Sequence, residues 1–84
     1  LFEITGNLTL SVLKKAEDRP GYIIRLYNGL LIEEGYATIT FKHEIKIAEK
    51  VDLKEKTKEP LPIINDTIEL ENIGHAKFVT LYVE

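Results

Sequence analysis

Beta-branched residues dominate this chain and constrain its fold more than any other feature. Isoleucine occurs 11 times, threonine 7 times and valine 4 times, so 22 of the 84 residues are β-branched. Their side chains are restricted at the first torsion angle and pack well on a pleated surface, which favours strands over helices. We therefore expect a protein built mainly from β-strands.

Apolar and polar residues alternate along short segments, as in strands with one buried face. These segments are residues 8–12, 21–28, 36–41, 45–53, 67–71 and 78–83, with residues 2–5 as a candidate seventh. In the first segment, Leu8, Leu10 and Val12 are predicted to share one face. In the fourth, the alternation predicts a shared face for Ile45, Ile47, Val51 and Leu53.

Turn signals separate the segments. A turn is predicted at residues 18–21, where proline is followed by glycine, and a loop beginning at Asn28 is expected to run to Glu33 or Glu34. Pro60 and Pro62 lack an N–H group, so residues 54–62 are predicted to form a connection or an edge. Short strands at this spacing predict one all-β domain over residues 1–84, an antiparallel β-sandwich of about six or seven strands.

Composition excludes several classes of function. With no cysteine, the chain has no disulfide and no thiolate metal site. A net charge of −3 gives no reason to expect nucleic acid or an anionic membrane as a partner. The two histidines, His43 and His75, stand in no ligand pattern, so we predict no metal site. Because the chain opens with leucine and contains no methionine, we expect it to be part of a longer polypeptide.

No catalytic residue and no cofactor are predicted within this chain. The only serine, Ser11, has no nucleophile-elbow motif around it. The carboxylates fall on loops or on outward-facing strand positions, where nothing raises a pKa for general acid catalysis. Arg25 lies in the middle of a predicted strand among apolar residues. Its charged guanidinium must reach solvent, pair with a carboxylate or contact another domain, because an unpaired buried charge is costly. Asp18 and Glu17 are its candidate partners within the chain.

Three stretches together carry a resemblance to a known family. The first runs through residues 10–18, with Lys-Lys-Ala-Glu-Asp at its end, and through a turn to Arg-Leu-Tyr-Asn at residues 25–28. The others are residues 51–55 and residues 68–81. In order and spacing the chain resembles the C-terminal β-domain of family 38 glycoside hydrolases. These are the α-mannosidases, including bacterial mannosylglycerate hydrolases.

The resemblance implies a non-catalytic C-terminal domain that packs on a catalytic domain of the same polypeptide. That catalytic domain would carry zinc and an aspartate nucleophile, and it would hydrolyse mannosyl substrates with retention. Docking or loop-fixing roles are then expected for the residues of the most specific stretch: Lys14, Lys15, Glu17, Asp18, Arg25 and Asn28. The lack of cysteine fits a parent enzyme in the bacterial cytoplasm.

Two other functions remain open at this point. A carbohydrate-binding module would hold glycan through exposed tyrosines, for which Tyr22, Tyr27, Tyr36 and Tyr82 are the candidates. A coplanar pair of exposed tyrosine rings on one face would favour it. A fibronectin-like interaction domain unrelated to sugar is the other alternative.

Overall fold

The computed structural model describes residues 2–30 and 33–84, and these residues form eight strands. The strands are β1 (Phe2–Gly6), β2 (Thr9–Lys15), β3 (Tyr22–Tyr27), β4 (Gly35–Phe41), β5 (Ala48–Val51), β6 (Thr57–Pro60), β7 (Thr67–Ile73) and β8 (Phe78–Val83). No helix long and apolar enough to cross a membrane occurs in the described ranges. Residues 31 and 32 of the predicted loop lie outside the described residues.

The strands form two antiparallel sheets of unequal width. The smaller sheet has the order β1-β4-β7, and the larger has the order β2-β3-β8-β5-β6. Both sheets contribute to one buried cluster, with side chains such as Ile24, Leu26 and Leu81 from the larger sheet and Ile39 and Ile68 from the smaller. The predicted antiparallel β-sandwich is therefore confirmed.

Alternation predicted the buried face correctly in β4 and in β7 as far as Leu70. In β4, Ala37 and Ile39 are almost fully buried while Tyr36 is 54% exposed. In β7, Ile68 and Leu70 are buried and Glu69 is exposed. Successive side chains of a strand point to opposite faces, so a regular strand keeps the faces that its sequence pattern predicts.

The predicted face of β2 is wrong because the strand contains a bulge. Leu10 lies opposite Leu26, but the register shifts between Leu10 and Val12, so Val12 lies opposite Arg25. Directly opposed residues of an antiparallel pair share a face, and an extra residue on one strand reverses the parity beyond it. Leu10 therefore faces the same side as the core, whereas Val12 faces outward.

The predicted strand at residues 45–53 is shorter than expected, and it is followed by an edge strand. Only Ala48–Val51 forms β5, and Leu53 is 76% exposed instead of sharing a buried face with Ile45. Residues 54–62, predicted as a connection or an edge, contain β6 at the edge of the larger sheet. All four residues of β6 are exposed, which suits the proline within it.

A second, smaller apolar cluster lies on the outer face of the larger sheet. It contains Ile23, Tyr82 and Val51 from three adjacent strands, with the half-buried Ala16 and Ile47 packed against it. Because the smaller sheet lies on the other side, these side chains are covered by the loops that flank β3 and β5. This cluster explains why β8 is buried on both faces at its carboxyl end.

Candidate functional site

The residues predicted for docking or loop fixing lie at the two ends and in the middle of β3. Lys15 and Glu17 lie near its amino end, and Asn28 follows its carboxyl end. A strand of six residues is about 20 Å long, since each residue rises about 3.3 Å. The predicted residues therefore do not converge on one site.

Near the amino end of β3, the carboxylate of Glu55, in the loop between β5 and β6, connects that loop to the loop between β2 and β3. Glu55 Oε1 accepts a hydrogen bond from the Glu17 backbone N–H at 2.9 Å. Lys14 Nζ lies 3.3 Å from Glu55 Oε2. The backbone donor of Glu17, followed by Lys14, keeps the pKa of Glu55 below its ordinary value. Asp18 and Lys15, by contrast, are exposed and form no side-chain hydrogen bond or ion pair with the described residues.

The predicted pairing of Arg25 with Asp18 or Glu17 is not found. Arg25 Nε instead donates to Thr80 Oγ1, the neighbouring side chain on β8, at 3.2 Å. Arg25 is half-buried on the outer face of the larger sheet, so its charge remains in contact with solvent. A long side chain can reach water from such a position without a carboxylate partner.

At the carboxyl end of β3, the side chain of Asn28 holds three backbone groups although it is fully buried. Its Nδ2 donates to the carbonyl oxygens of Ile73 at 2.8 Å and Glu33 at 3.0 Å. Its Oδ1 accepts from the Leu30 N–H at 2.9 Å. These bonds connect the backbone of Leu30 and Glu33 to the end of β7 and give both polar atoms of the buried amide a partner.

Sequence reasoning missed a polar cluster on the outer face of the larger sheet. Arg19 Nη1 lies 2.7 Å from Glu49 Oε1, and the Arg19 guanidinium carbon lies 3.6 Å from the centre of the Tyr82 ring. Thr57 Oγ1 donates to the same Glu49 oxygen at 2.7 Å. We call Arg19, Glu49, Thr57, Tyr82 and Glu84 the outer cluster. No local signal pairs Arg19 with Glu49, because 30 positions separate them.

The tyrosine of the outer cluster joins the residue before β3 to the residue after β8, at one end of the larger sheet. Tyr82 Oη accepts a hydrogen bond from the Gly21 N–H at 3.0 Å and donates to Glu84 Oε1 at 2.5 Å. Burial raises the pKa of Tyr82 above its ordinary value of 10.0, and the hydrogen bond to Glu84 acts in the same direction. The hydroxyl therefore stays protonated and acts as a donor that fixes the chain.

The ion pair of the outer cluster makes stability depend on pH. The hydrogen bond from Arg19, followed by that from Thr57, holds the pKa of Glu49 below its ordinary value of 4.5. A lowered carboxyl pKa in the folded state stabilises the fold above the unfolded pKa, and this contribution disappears as pH falls through the folded pKa. The Arg19–Glu49 pair therefore stabilises the protein at neutral pH and not in strong acid.

Replacing this carboxylate should flatten the acid side of the stability profile. The native protein should lose unfolding free energy as pH falls below 4.5, the ordinary pKa of a glutamate. We expect this loss to be smaller in Glu49→Gln, because the variant has no carboxylate at this position to protonate. Urea unfolding at several pH values measures this. Glu69→Gln, at an exposed position of β7, is the control and should leave the profile unchanged. Equal profiles for Glu49→Gln and the native protein would contradict the assignment.

One side of the sandwich is apolar and uncovered. Leu10, Leu13 and Tyr22 are 43%, 44% and 48% exposed, although Leu10 and Leu13 lie opposite the core residues Leu26 and Ile24. We call Leu10, Leu13 and Tyr22 the apolar flank. It borders a groove of about 260 Å³ that is lined by Phe2, Leu13, Tyr22, Ile24, His43 and Val83.

The tyrosines do not form the coplanar platform that a glycan-binding face would present. Tyr22 belongs to the larger sheet and Tyr36 to the smaller one, and both are exposed. Tyr27 packs on Phe78 with ring centres 4.7 Å apart and planes inclined by 38°. Tyr82 is buried in the outer cluster. Among the described residues, no group of three histidine, aspartate or glutamate side chains is placed to hold a metal ion.

Two packed antiparallel sheets define this protein as a β-sandwich domain. A family model described as the glycosyl hydrolases family 38 C-terminal beta sandwich domain matches residues 7–80. The match covers most of the chain, and the chain therefore belongs to this family. No curated protein and no solved structure matches it.

Proposed function

We propose that this domain is a non-catalytic part of a retaining, zinc-dependent α-mannosidase, in which it packs on the catalytic part and stabilises it. The match of residues 7–80 to the family's C-terminal sandwich domain carries the proposal. The apolar flank supports the packing role, because exposed apolar side chains that are grouped on one side mark interaction surfaces.

The zinc ion of the proposed parent enzyme does not fit the residues of this domain. The part of the chain that the structure describes contains no cluster of ligands for it. We therefore assign zinc and the aspartate nucleophile to the catalytic part of the parent. Retention in a glycosidase proceeds through a covalent glycosyl intermediate, and that chemistry belongs to the catalytic part as well. This domain contributes packing and loop positions, not reacting groups.

The proposal is tested on the whole parent polypeptide with an aryl α-mannoside and zinc. We expect hydrolysis with release of the α-anomer first, and we expect a version lacking these 84 residues to lose heat stability and activity together. If the intact polypeptide does not hydrolyse α-mannosides with zinc present, the assigned reaction is wrong. If the shortened version is as stable as the intact one, the packing role is wrong. Titration with mannose oligosaccharides tests the carbohydrate-binding alternative directly.

Arg25 gives a sharper test of docking, because its contact within the domain can be removed separately. Thr80→Val deletes the acceptor of the Arg25 hydrogen bond and leaves the guanidinium in place. We expect Arg25→Ala to lower the activity or thermal stability of the parent polypeptide more than Thr80→Val does. Equal effects of the two substitutions would mean that Arg25 acts only through its hydrogen bond to Thr80. Native values for Arg25→Ala would refute a docking role altogether.

A further inference from the structure

The apolar flank exists because the two sheets differ in width. Adjacent strands lie about 4.8 Å apart, so a sheet of three strands cannot cover one of five. The edge strand β2 therefore extends past the smaller sheet. Leu10 and Leu13 occupy core-facing positions on β2, but each is more than two-fifths exposed.

Phe2 of β1 lines the same groove as Leu13 and Tyr22, so β1 is the strand of the smaller sheet next to this opening, and its outer edge is open. The Asn7 N–H donates to the Tyr36 carbonyl at 3.0 Å, which directs the backbone groups of Asn7 towards β4. The direction of N–H and C=O groups alternates along a strand, and β1 pairs with β4 without a bulge. Ile4 therefore points its N–H and C=O away from β4, into the opening. Its half-buried side chain lies opposite the core residue Ile39.

The larger sheet is protected at its other edge. The larger sheet ends there in β6, whose residues are polar or proline and all exposed. Lys50 and Glu59 form an ion pair at 3.3 Å next to this edge. Proline and charge protect an edge strand against pairing with another chain. In the opening between β1 and β2, by contrast, the core-facing apolar side chains of the edge strand β2 lie beside the outward-pointing backbone groups of β1.

We propose that a strand from the catalytic part of the same polypeptide adds to β1 and covers Leu10 and Leu13. This rests on the proposed function, since it takes the partner from the parent enzyme. Addition of an extended segment to a sheet edge satisfies backbone groups while alternate side chains fill the apolar surface. The smaller sheet then has four strands, and its new strand lies over the uncovered face of β2.

Charge identifies the chemistry of the added strand. Lys15 lies opposite Tyr22, on the same face as the apolar flank, and forms no ion pair with the described residues. The partner strand should therefore carry apolar side chains towards Leu10 and Leu13 and an acidic side chain towards Lys15. A second copy of the domain fits less well, because its own β2 edge presents Lys14 and Lys15 instead of an acid.

Hydrogen–deuterium exchange of single amides in the whole polypeptide tests the proposal. The Ile4 amide should exchange slowly because it is hydrogen-bonded to the added strand. The Glu69 amide is the matched control: β4 alternates in the same way, so this amide points out of the opposite edge of the same sheet. It should exchange rapidly. Exchange of Ile4 as fast as that of Glu69 would overturn the proposal.

A substitution in the flank connects that protection to the apolar contact. Leu13→Glu should speed exchange of the Ile4 amide by at least about tenfold, because a charge on the covered face favours opening of the added strand. Leu53→Glu, at the 76% exposed Leu53, should leave exchange unchanged. Protection that is insensitive to Leu13→Glu, or that rises with protein concentration as expected for a dimer, would overturn the assignment to the parent chain.

The outcome is separable from that of the proposed function. A protected Ile4 amide in a polypeptide without α-mannosidase activity would refute the assigned reaction and leave the strand addition standing. An active α-mannosidase with an unprotected Ile4 amide would support the assigned reaction and refute the strand addition.

Discussion

Replacing Gly21 by alanine should lower the free energy of unfolding by about 3 kcal/mol or more, since overpacking against fixed atoms is strongly destabilising. A Cβ atom at this position would lie 2.0 Å from the Val83 carbonyl oxygen and 2.8 Å from the Tyr82 ring. The first is a backbone atom of the central strand β8, so relief requires β3 and β8 to separate. The Gly21 N–H would then leave the Tyr82 hydroxyl as well.

Chemical denaturation compares this variant with a glycine at which alanine is tolerated. Gly74→Ala is the control, because the nearest atom to its new methyl group is Lys77 Cγ at 3.3 Å, part of a flexible side chain. We expect Gly74→Ala to change the unfolding free energy by less than about 1 kcal/mol. Similar values for the two variants would mean that the close approach at Gly21 can relax.

Replacing Asn28 by alanine should lower the free energy of unfolding by about 2–4 kcal/mol, because buried partners are left without hydrogen bonds. The carbonyl of Ile73 loses a donor at 2.8 Å, and the N–H of Leu30 loses an acceptor at 2.9 Å. The truncation also leaves a cavity where a fully buried side chain stood. Urea denaturation measures the loss.

A second substitution at this position shows that hydrogen bonding, and not volume, is responsible. Asn28→Asp keeps the shape but directs a carboxylate oxygen at the Ile73 carbonyl, so it should destabilise at neutral pH. The loss should shrink as pH falls, because the protonated acid can donate again. Asn72→Gly, at an exposed residue with φ of 60°, is the control and should be close to neutral. A pH-independent loss for Asn28→Asp would contradict the donor role.

The effects at Gly21 and Asn28 concern the two ends of the same strand. Gly21 precedes β3 and donates to Tyr82 of the outer cluster, whereas Asn28 follows β3 and binds the backbone of Leu30 and Glu33. Both residues act through backbone groups of other strands. β3 also pairs with the edge strand β2, so the position of β3 determines where the apolar flank lies.

Much of the fold was predictable because strand faces follow a period of two. β4, and β7 as far as Leu70, kept the faces that alternation predicted. Proline marked β6 as an edge for a local reason, the missing N–H group. The prediction failed at Val12, where a bulge reverses the parity, and at Leu53, which lies beyond the end of β5. Neither failure had a signal in the residue pattern itself.

The candidate sites were less predictable, because they depend on contacts between distant residues. The family-specific stretch drew attention to Arg25 and Asn28, but it indicated no partner for either. The outer cluster was missed, since only the pairing of β3, β8 and β5 brings Glu49 beside Tyr82 and the turn that carries Arg19. Interactions over such separations are created by strand order, which alternation does not specify.

The sequence by itself determined the class of this protein: β-branched residues, regular alternation and well-placed turn residues favour an antiparallel sandwich. Its local stretches also determined the family resemblance that the match over residues 7–80 bears out. Only the tertiary structure decided which faces remain uncovered. Leu13 and Ile24 have similar apolar side chains, yet one is 44% exposed and the other is buried. The difference arises because three strands lie against five.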